Sequence, residues 1–74
     1  MDILLVSPRN ADGTRVLLVR FDNGWDFSYA TYLQRNGGQF FNRQNQYSIT
    51  EGYTSYEKRC KWLRVSSKIQ VPLP

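Results

Sequence analysis

The fold is decided by residues 15–32, RVLLVRFDNGWDFSYATY. Both halves are rich in β-branched and aromatic residues, and Asn23-Gly24 between them suits the type I′ turn of a β-hairpin. A two-residue turn there would pair residues whose numbers add up to 47, which gives the hairpin two distinct faces. The first face carries Val16, Leu18, Arg20, Asp22, Trp25, Phe27, Tyr29 and Thr31, and the second carries Leu17, Val19, Phe21, Asp26, Ser28, Ala30 and Tyr32.

The segment before the hairpin predicts one further strand. Residues 2–7 are almost entirely apolar, and Pro8 ends the run because it lacks a backbone donor. Residues 10–14 contain Asp12-Gly13 and predict a loop. The first three elements would then form an antiparallel meander.

The third strand has an alternative. Asp26 could cap a helix from Phe27 to Asn36, which Gly37 would close in the left-handed conformation. We favour the strand, because the aromatic residues of this segment prefer strands and because an Asn-Gly turn needs a partner strand.

The second half of the chain predicts weaker elements. Residues 42–46 are all polar and indicate an exposed loop or strand end. Thr54 and Glu57 have the spacing of a capping box, which predicts a short helix over residues 55–61. From Lys61 the apolar residues alternate up to Val71, which predicts a last strand.

These elements favour an all-β fold, or alternatively an α+β fold. Five short strands in 74 residues pack best as a small antiparallel barrel of the SH3-like or OB type, because closure removes exposed edges. A three-stranded sheet covered by one or two helices is the alternative. The length allows a single domain, residues 1–74.

Composition argues against catalysis and against a metal site. The chain has no histidine, one cysteine and six scattered carboxylates, so neither zinc ligands nor a pair of catalytic acids can be assembled from a recognisable motif. We predict a non-enzymatic protein without a cofactor. The lone Cys60 fits a reducing, cytoplasmic compartment, and the N-terminal residues 1–8 resemble neither a signal peptide nor a membrane span.

Charge and aromatic content point to a binding function. Residues 1–37 hold four arginines and four aspartates, whereas residues 38–74 hold six basic residues and two acidic ones, so the net charge of +4 lies in the second half. The chain also has eleven aromatic residues, more than so small a core can enclose. Aromatic rings beside cations on a sheet are a means of holding single-stranded nucleic acid. The candidate contacts for nucleic acid or another partner are Arg20, Trp25, Phe27, Tyr29, Arg43, Lys58, Lys61, Trp62, Arg64 and Lys68.

Residues 19–25, VRFDNGW, followed by Tyr29 to Leu33 and then Gly38, resemble the SH3-like β-barrel modules of bacteriophage-encoded proteins. The resemblance covers about residues 15–41 and implies a small barrel used for binding, sometimes of RNA or DNA. It also implies an alternative function, that of a phage accessory or inhibitor protein that binds a host or defence complex.

The partner predictions are therefore RNA or single-stranded DNA, or alternatively a host protein, and no membrane. The chain is expected to be a monomer or a homodimer, because an exposed edge strand over residues 3–6 could pair with its copy.

Overall fold

The computed structural model describes residues 1–67, which form an open antiparallel sheet and one helix. The elements are β1 (Asp2–Val6), β2 (Arg15–Asp22), β3 (Phe27–Gln34), β4 (Phe40–Gln46) and α1 (Ile49–Leu63). The strands lie in the order β1-β2-β3-β4, each antiparallel to its neighbour. The described chain is thus a four-stranded meander with α1 packed across one side.

The central hairpin is confirmed, and β3 is a strand rather than a helix. Its predicted register is wrong, because Asp22 lies opposite Phe27 and the connection is a four-residue loop, 23–26. In that loop the Asn23 N–H donates to the Asp26 carbonyl at 2.9 Å, and Gly24 has φ 101°. The true register differs from the predicted one by two residues, so every strand residue keeps its predicted face.

The closed five-stranded SH3-like or OB-like barrel is not confirmed, since residues 1–67 form an open sheet with β1 and β4 at its edges. The polar run 42–46 belongs to β4. Backbone pairing with β3 makes it a strand, although its polar side chains show no strand pattern. The predicted last strand is wrong at its beginning, because residues 61–63 are helical. The part of that strand beyond residue 67 lies outside the described residues.

Helix α1 is longer than the predicted helix over residues 55–61 and begins at a different cap. Ser48 is the N-cap, and its Oγ accepts a hydrogen bond from the Glu51 N–H at 3.1 Å. The Glu51 carboxylate in turn accepts from the Tyr47 N–H at 3.0 Å. This reciprocal pair satisfies backbone donors at the start of the helix. At the other end, Arg64 adopts a left-handed conformation with φ 60° and closes the helix.

Gly52 lies in the first turns of α1 and brings the helix close to the sheet. A Cβ at this position would lie 2.9 Å from Cδ1 of Leu18 and 3.7 Å from Cβ of Tyr29. Leu18 is fully buried and has little freedom to move away. The glycine is therefore required by packing rather than by a turn.

The sheet has an apolar cluster on each side. On the helix side, α1 buries Val16, Leu18, Leu33, Tyr56 and Cys60. On the opposite side Leu17, Val19 and Ala30 are also fully buried. No helix within residues 1–67 has the length and apolar character needed to cross a membrane.

Candidate functional site

The predicted contacts on the hairpin lie on the helix side of the sheet or in the loop. Arg20 forms an ion pair with Asp2 at 2.9 Å, and its guanidinium carbon lies 4.5 Å from the centre of the Phe27 ring. Tyr29 is half-buried and packs against the core beneath α1. Trp25 is 92% exposed in loop 23–26. The hairpin therefore offers Trp25 and the edge of Phe27 as free rings, whereas Arg20 and Tyr29 are engaged within the protein.

The predicted contacts on α1 lie away from the hairpin loop. Gly52 contacts Tyr29, and one turn later the hydroxyl groups of Ser55 and Thr31 share a 2.9 Å hydrogen bond. Successive turns of α1 thus move away from loop 23–26. The structure does not bring the two predicted halves of the binding surface together.

The basic and aromatic residues of the helix are divided between two sides. Trp62 faces β4, and Lys61 lines a second cavity of about 470 Å³ together with Cys60. Lys58 lies between the two and borders both. Arg64 is exposed at the end of the helix. Lys68 lies outside the described residues.

The side of the sheet opposite α1, which we call the open face, is not covered by any element of residues 1–67. Its buried centre, Leu17, Val19 and Ala30, is shielded only by surrounding side chains that are themselves partly exposed. This rim consists of Ile3, Val6, Phe21, Tyr32 and Phe40. The open face therefore exposes part of its aromatic rim to solvent.

Arg43 of β4 lies among the rings of the open face. Its guanidinium carbon is 4.8 Å from the centre of the Phe21 ring and 5.8 Å from the centre of the Tyr32 ring. The Tyr32 and Phe40 rings are 5.3 Å apart and tilted by 47°. Nε of Arg43 donates to Oδ1 of Asn45 at 2.6 Å, which fixes the guanidinium plane over this cluster. Three aromatic rings and one cation thus form a continuous patch.

The open face is also free of negative charge along its strands. Asp2 and Asp22 are the acidic residues of the strands, and the alternation of β1 and β2 places both on the helix side. Arg15 shares the open face with Arg43 and donates to Oε1 of Gln34 at 2.9 Å. Partial burial, together with the nearby charge of Arg9, lowers the pKa of the Arg15 guanidinium. The arginine remains charged at neutral pH, so the face is basic.

Of the predicted site residues, only Arg43 belongs to this patch. Phe21, Tyr32 and Phe40 were missed, although the hairpin pattern already placed Phe21 and Tyr32 on one face. Both faces of the hairpin are apolar, so the strands alone do not tell which one a helix covers. The informative signals were the Ser48 to Glu51 capping box and Gly52, which show where α1 begins and where it approaches the sheet.

A groove separates β4 from α1 on the helix side. The β4–α1 groove has a volume of about 730 Å³, and most of its lining residues carry an amide or a hydroxyl group. Two rings border it, Tyr47 at 94% exposure and Trp62 at 75%. The full lining is Leu33, Asn42, Gln44, Asn45, Gln46, Tyr47, Thr50, Glu51, Thr54, Ser55, Lys58, Arg59 and Trp62.

Arg59 in this groove is a buried cation. Its side chain donates to Asn42 and to Oε1 of Gln44, all of them neutral acceptors, and within residues 1–67 no carboxylate forms an ion pair with it. Burial lowers the pKa of the Arg59 guanidinium, which remains charged near neutral pH. The groove therefore carries two cations, Lys58 and Arg59, against one carboxylate, Glu51.

The remaining reactive groups are sealed in the core. Tyr56 and Cys60 are each 1% exposed, and burial raises the pKa of both side chains, so the thiol is a poor nucleophile. Within residues 1–67 no three side chains of the His, Cys, Asp or Glu type cluster closely enough to hold a metal ion.

Comparison of the chain with protein-family models, curated proteins and solved structures finds no match.

Proposed function

We propose that this protein binds single-stranded nucleic acid, RNA or DNA, through the open face. The observation that carries the proposal is Arg43, held between the Phe21 and Tyr32 rings on a sheet face whose strands bear no carboxylate. A sheet with exposed rings next to arginines is a common platform for unpaired bases.

The rings supply stacking and the arginines supply phosphate contacts. Each base that stacks on an aromatic side chain contributes about 1–3 kcal/mol, and this contribution tolerates any base because all bases have flat faces. Phe21, Tyr32 and Phe40 are partly exposed around a rigid, fully buried centre. The rings are therefore already ordered before a ligand arrives, which reduces the entropy cost of binding.

A labelled oligonucleotide titration tests the proposal. Arg43→Ala should weaken binding about tenfold and lower the dependence of affinity on salt concentration, because one phosphate contact is lost. Arg35→Ala is the matched control, since Arg35 also lies near a phenylalanine ring, 5.7 Å from the centre of Phe41, but not in the open-face cluster. It should retain most of the affinity.

Stacking is tested separately with Tyr32→Leu, which keeps an apolar side chain over the buried centre. We expect weaker binding with an unchanged salt slope, whereas Tyr53→Leu on the exposed surface of α1 should bind normally. Circular dichroism of each variant establishes that the sheet has formed. Absence of binding by the unmodified protein at low salt, or equal losses in Arg43→Ala and Arg35→Ala, would overturn the proposal.

A second candidate function is the binding of a host or defence protein, as a phage accessory or inhibitor protein would do. The observation that favours it is Trp25, a large ring almost fully exposed at the tip of the hairpin, because tryptophan is enriched at the centres of protein interfaces. Affinity purification with nuclease treatment tests it. A specific protein that is retained by the unmodified chain and lost with Trp25→Ala would support this function over the first.

A further inference from the structure

We propose that the free edge of β4 accepts an extended, acidic peptide segment of a protein partner, which adds to the sheet as a fifth strand and fills the β4–α1 groove. This site is separate from the open face and does not depend on the nucleic-acid proposal.

The backbone of β4 is available for pairing. Within residues 1–67, β4 pairs with β3 alone, and none of its backbone groups bonds to the backbone of another segment. The Asn42 carbonyl accepts a hydrogen bond from the Arg59 side chain and the strand is bent at this residue, so the stretch open to pairing is residues 43–46. Residues 41–45 are exposed. An edge strand with unpaired N–H and C=O groups is a template for another strand, and peptide ligands commonly bind in this way.

The groove beside this edge has the size and the walls that such a ligand requires. Its volume of about 730 Å³ falls within the range of roughly 300–1,000 Å³ that is typical of ligand sites. The rings of Tyr47 and Trp62 are available for apolar side chains of an added strand. Gln46 lines the groove, and its buried Oε1 has no hydrogen-bond partner.

Charge determines the chemistry of the ligand. Lys58 and Arg59 line the groove, and within residues 1–67 neither has a carboxylate partner. The one acidic residue of the lining, Glu51, already accepts the Tyr47 N–H at the start of α1. A glutamate or aspartate of the added strand would supply the missing counter-charge to Lys58.

A second copy of this chain fits the edge poorly. Strand β4 itself carries Arg43 and no acidic residue, so pairing of two β4 strands would leave both groove cations without counter-charge. Strand β1 is five residues long, and its one acidic residue, Asp2, already forms an ion pair with Arg20. A heterologous acidic segment satisfies the site better than either strand.

Tryptophan fluorescence provides the test, because Trp62 borders the groove. In a Trp25→Phe background Trp62 is the sole tryptophan, so its emission reports on this site. The probe is an acetylated, amidated seven-residue peptide, Glu-Thr-Val-Thr-Glu-Thr-Val, which presents glutamate and valine on the same face of a strand. The first control is the same peptide with its backbone nitrogens methylated, which keeps its charge but removes the hydrogen-bond donors of both edges. The second is Lys61→Glu, which makes the same charge change as Lys58→Glu on a side of α1 outside the groove.

We expect the peptide to shift the Trp62 emission saturably, and N-methylation to abolish the shift. Lys58→Glu should weaken binding at least about fivefold, and Lys61→Glu less than about twofold. The proposal is overturned if the methylated peptide binds equally well, if the two lysine variants behave alike, or if no saturable shift occurs at millimolar peptide. It is also overturned if a single-stranded oligonucleotide shifts Trp62 in the Arg43→Ala variant, because nucleic acid would then occupy the groove.

Discussion

Arg59 and Asn42 are joined by two hydrogen bonds that fasten the edge strand to the helix. Nη2 of Arg59 donates to both the carbonyl oxygen and Oδ1 of Asn42, each at 2.7 Å. Asn42 has φ 56°, and it lies at the irregularity in the pairing of β3 with β4. The left-handed conformation is costly for a residue with a side chain, so these bonds help to hold the strand in this bent form.

Replacement of Arg59 by methionine should lower the free energy of unfolding by about 2–3 kcal/mol. The change removes the three hydrogen bonds that Arg59 donates to Asn42 and Gln44, although it also removes a buried charge. Urea unfolding followed by circular dichroism measures the loss. Lys58→Met, one position earlier on the exposed surface, should change stability by less than about 0.5 kcal/mol.

The Asn42 conformation can be separated from its hydrogen bonds. Asn42→Gly loses the Oδ1 acceptor but relieves backbone strain, whereas Asn42→Ala loses the acceptor and keeps the strain. We expect the alanine variant to be less stable than the glycine variant by about 1 kcal/mol in urea unfolding. Equal stability of the two would mean that the left-handed conformation contributes no strain.

Gly52→Ala should destabilise the protein by about 1 kcal/mol, although alanine has the higher helix propensity. The propensity gain is about 1 kcal/mol, but the new methyl group would lie 2.9 Å from Cδ1 of the fully buried Leu18. Thermal unfolding measures the difference. In a Leu18→Ala background the same substitution should become stabilising, and a loss that persists there would show that the contact with Leu18 is not its cause.

The sequence predicted the local structure better than the assembly. The hairpin was predictable because the strand residues and the Asn-Gly turn agree, and a two-residue change in register left both faces intact. The open sheet was not predictable, because α1 begins after Ser48 rather than at residue 55. The approach of Gly52 to Leu18, which seats the helix on the sheet, is a contact between residues far apart in the sequence. Strand β4 shows no apolar alternation over its polar residues, so nothing in its pattern indicates a strand there. It is held by backbone pairing with β3 and by the hydrogen bond that the Arg59 side chain donates to Gln44. The basic and aromatic residues were identified as a class, but their division between two surfaces follows from the three-dimensional arrangement alone.

Stability should fall as the pH rises above about 9. Burial raises the pKa of Cys60 above 9.0, and burial, with a further contribution from Cys60, raises the pKa of Tyr56 above 10.0. Both groups are neutral when protonated, and the folded protein keeps them protonated to a higher pH than the unfolded chain does. Their contribution to the free energy of unfolding is therefore fully present below the pKa values of the unfolded chain. It is lost as the pH rises through the pKa values of the folded protein. Urea midpoints measured from pH 7 to 11 test this. Tyr56→Phe should flatten the decline above pH 10, whereas Tyr53→Phe at a half-exposed position should not.

The two aromatic residues at the hairpin tip should respond differently to alanine substitution. Trp25 is 92% exposed and makes no hydrogen bond or ring contact within residues 1–67, so Trp25→Ala should change the free energy of unfolding by less than about 0.5 kcal/mol. Phe27 lies beneath the guanidinium of Arg20, and Phe27→Ala should cost about 1 kcal/mol. Urea unfolding of both variants makes the comparison. A large loss in Trp25→Ala would mean that the ring stabilises the fold and is not displayed for a protein partner.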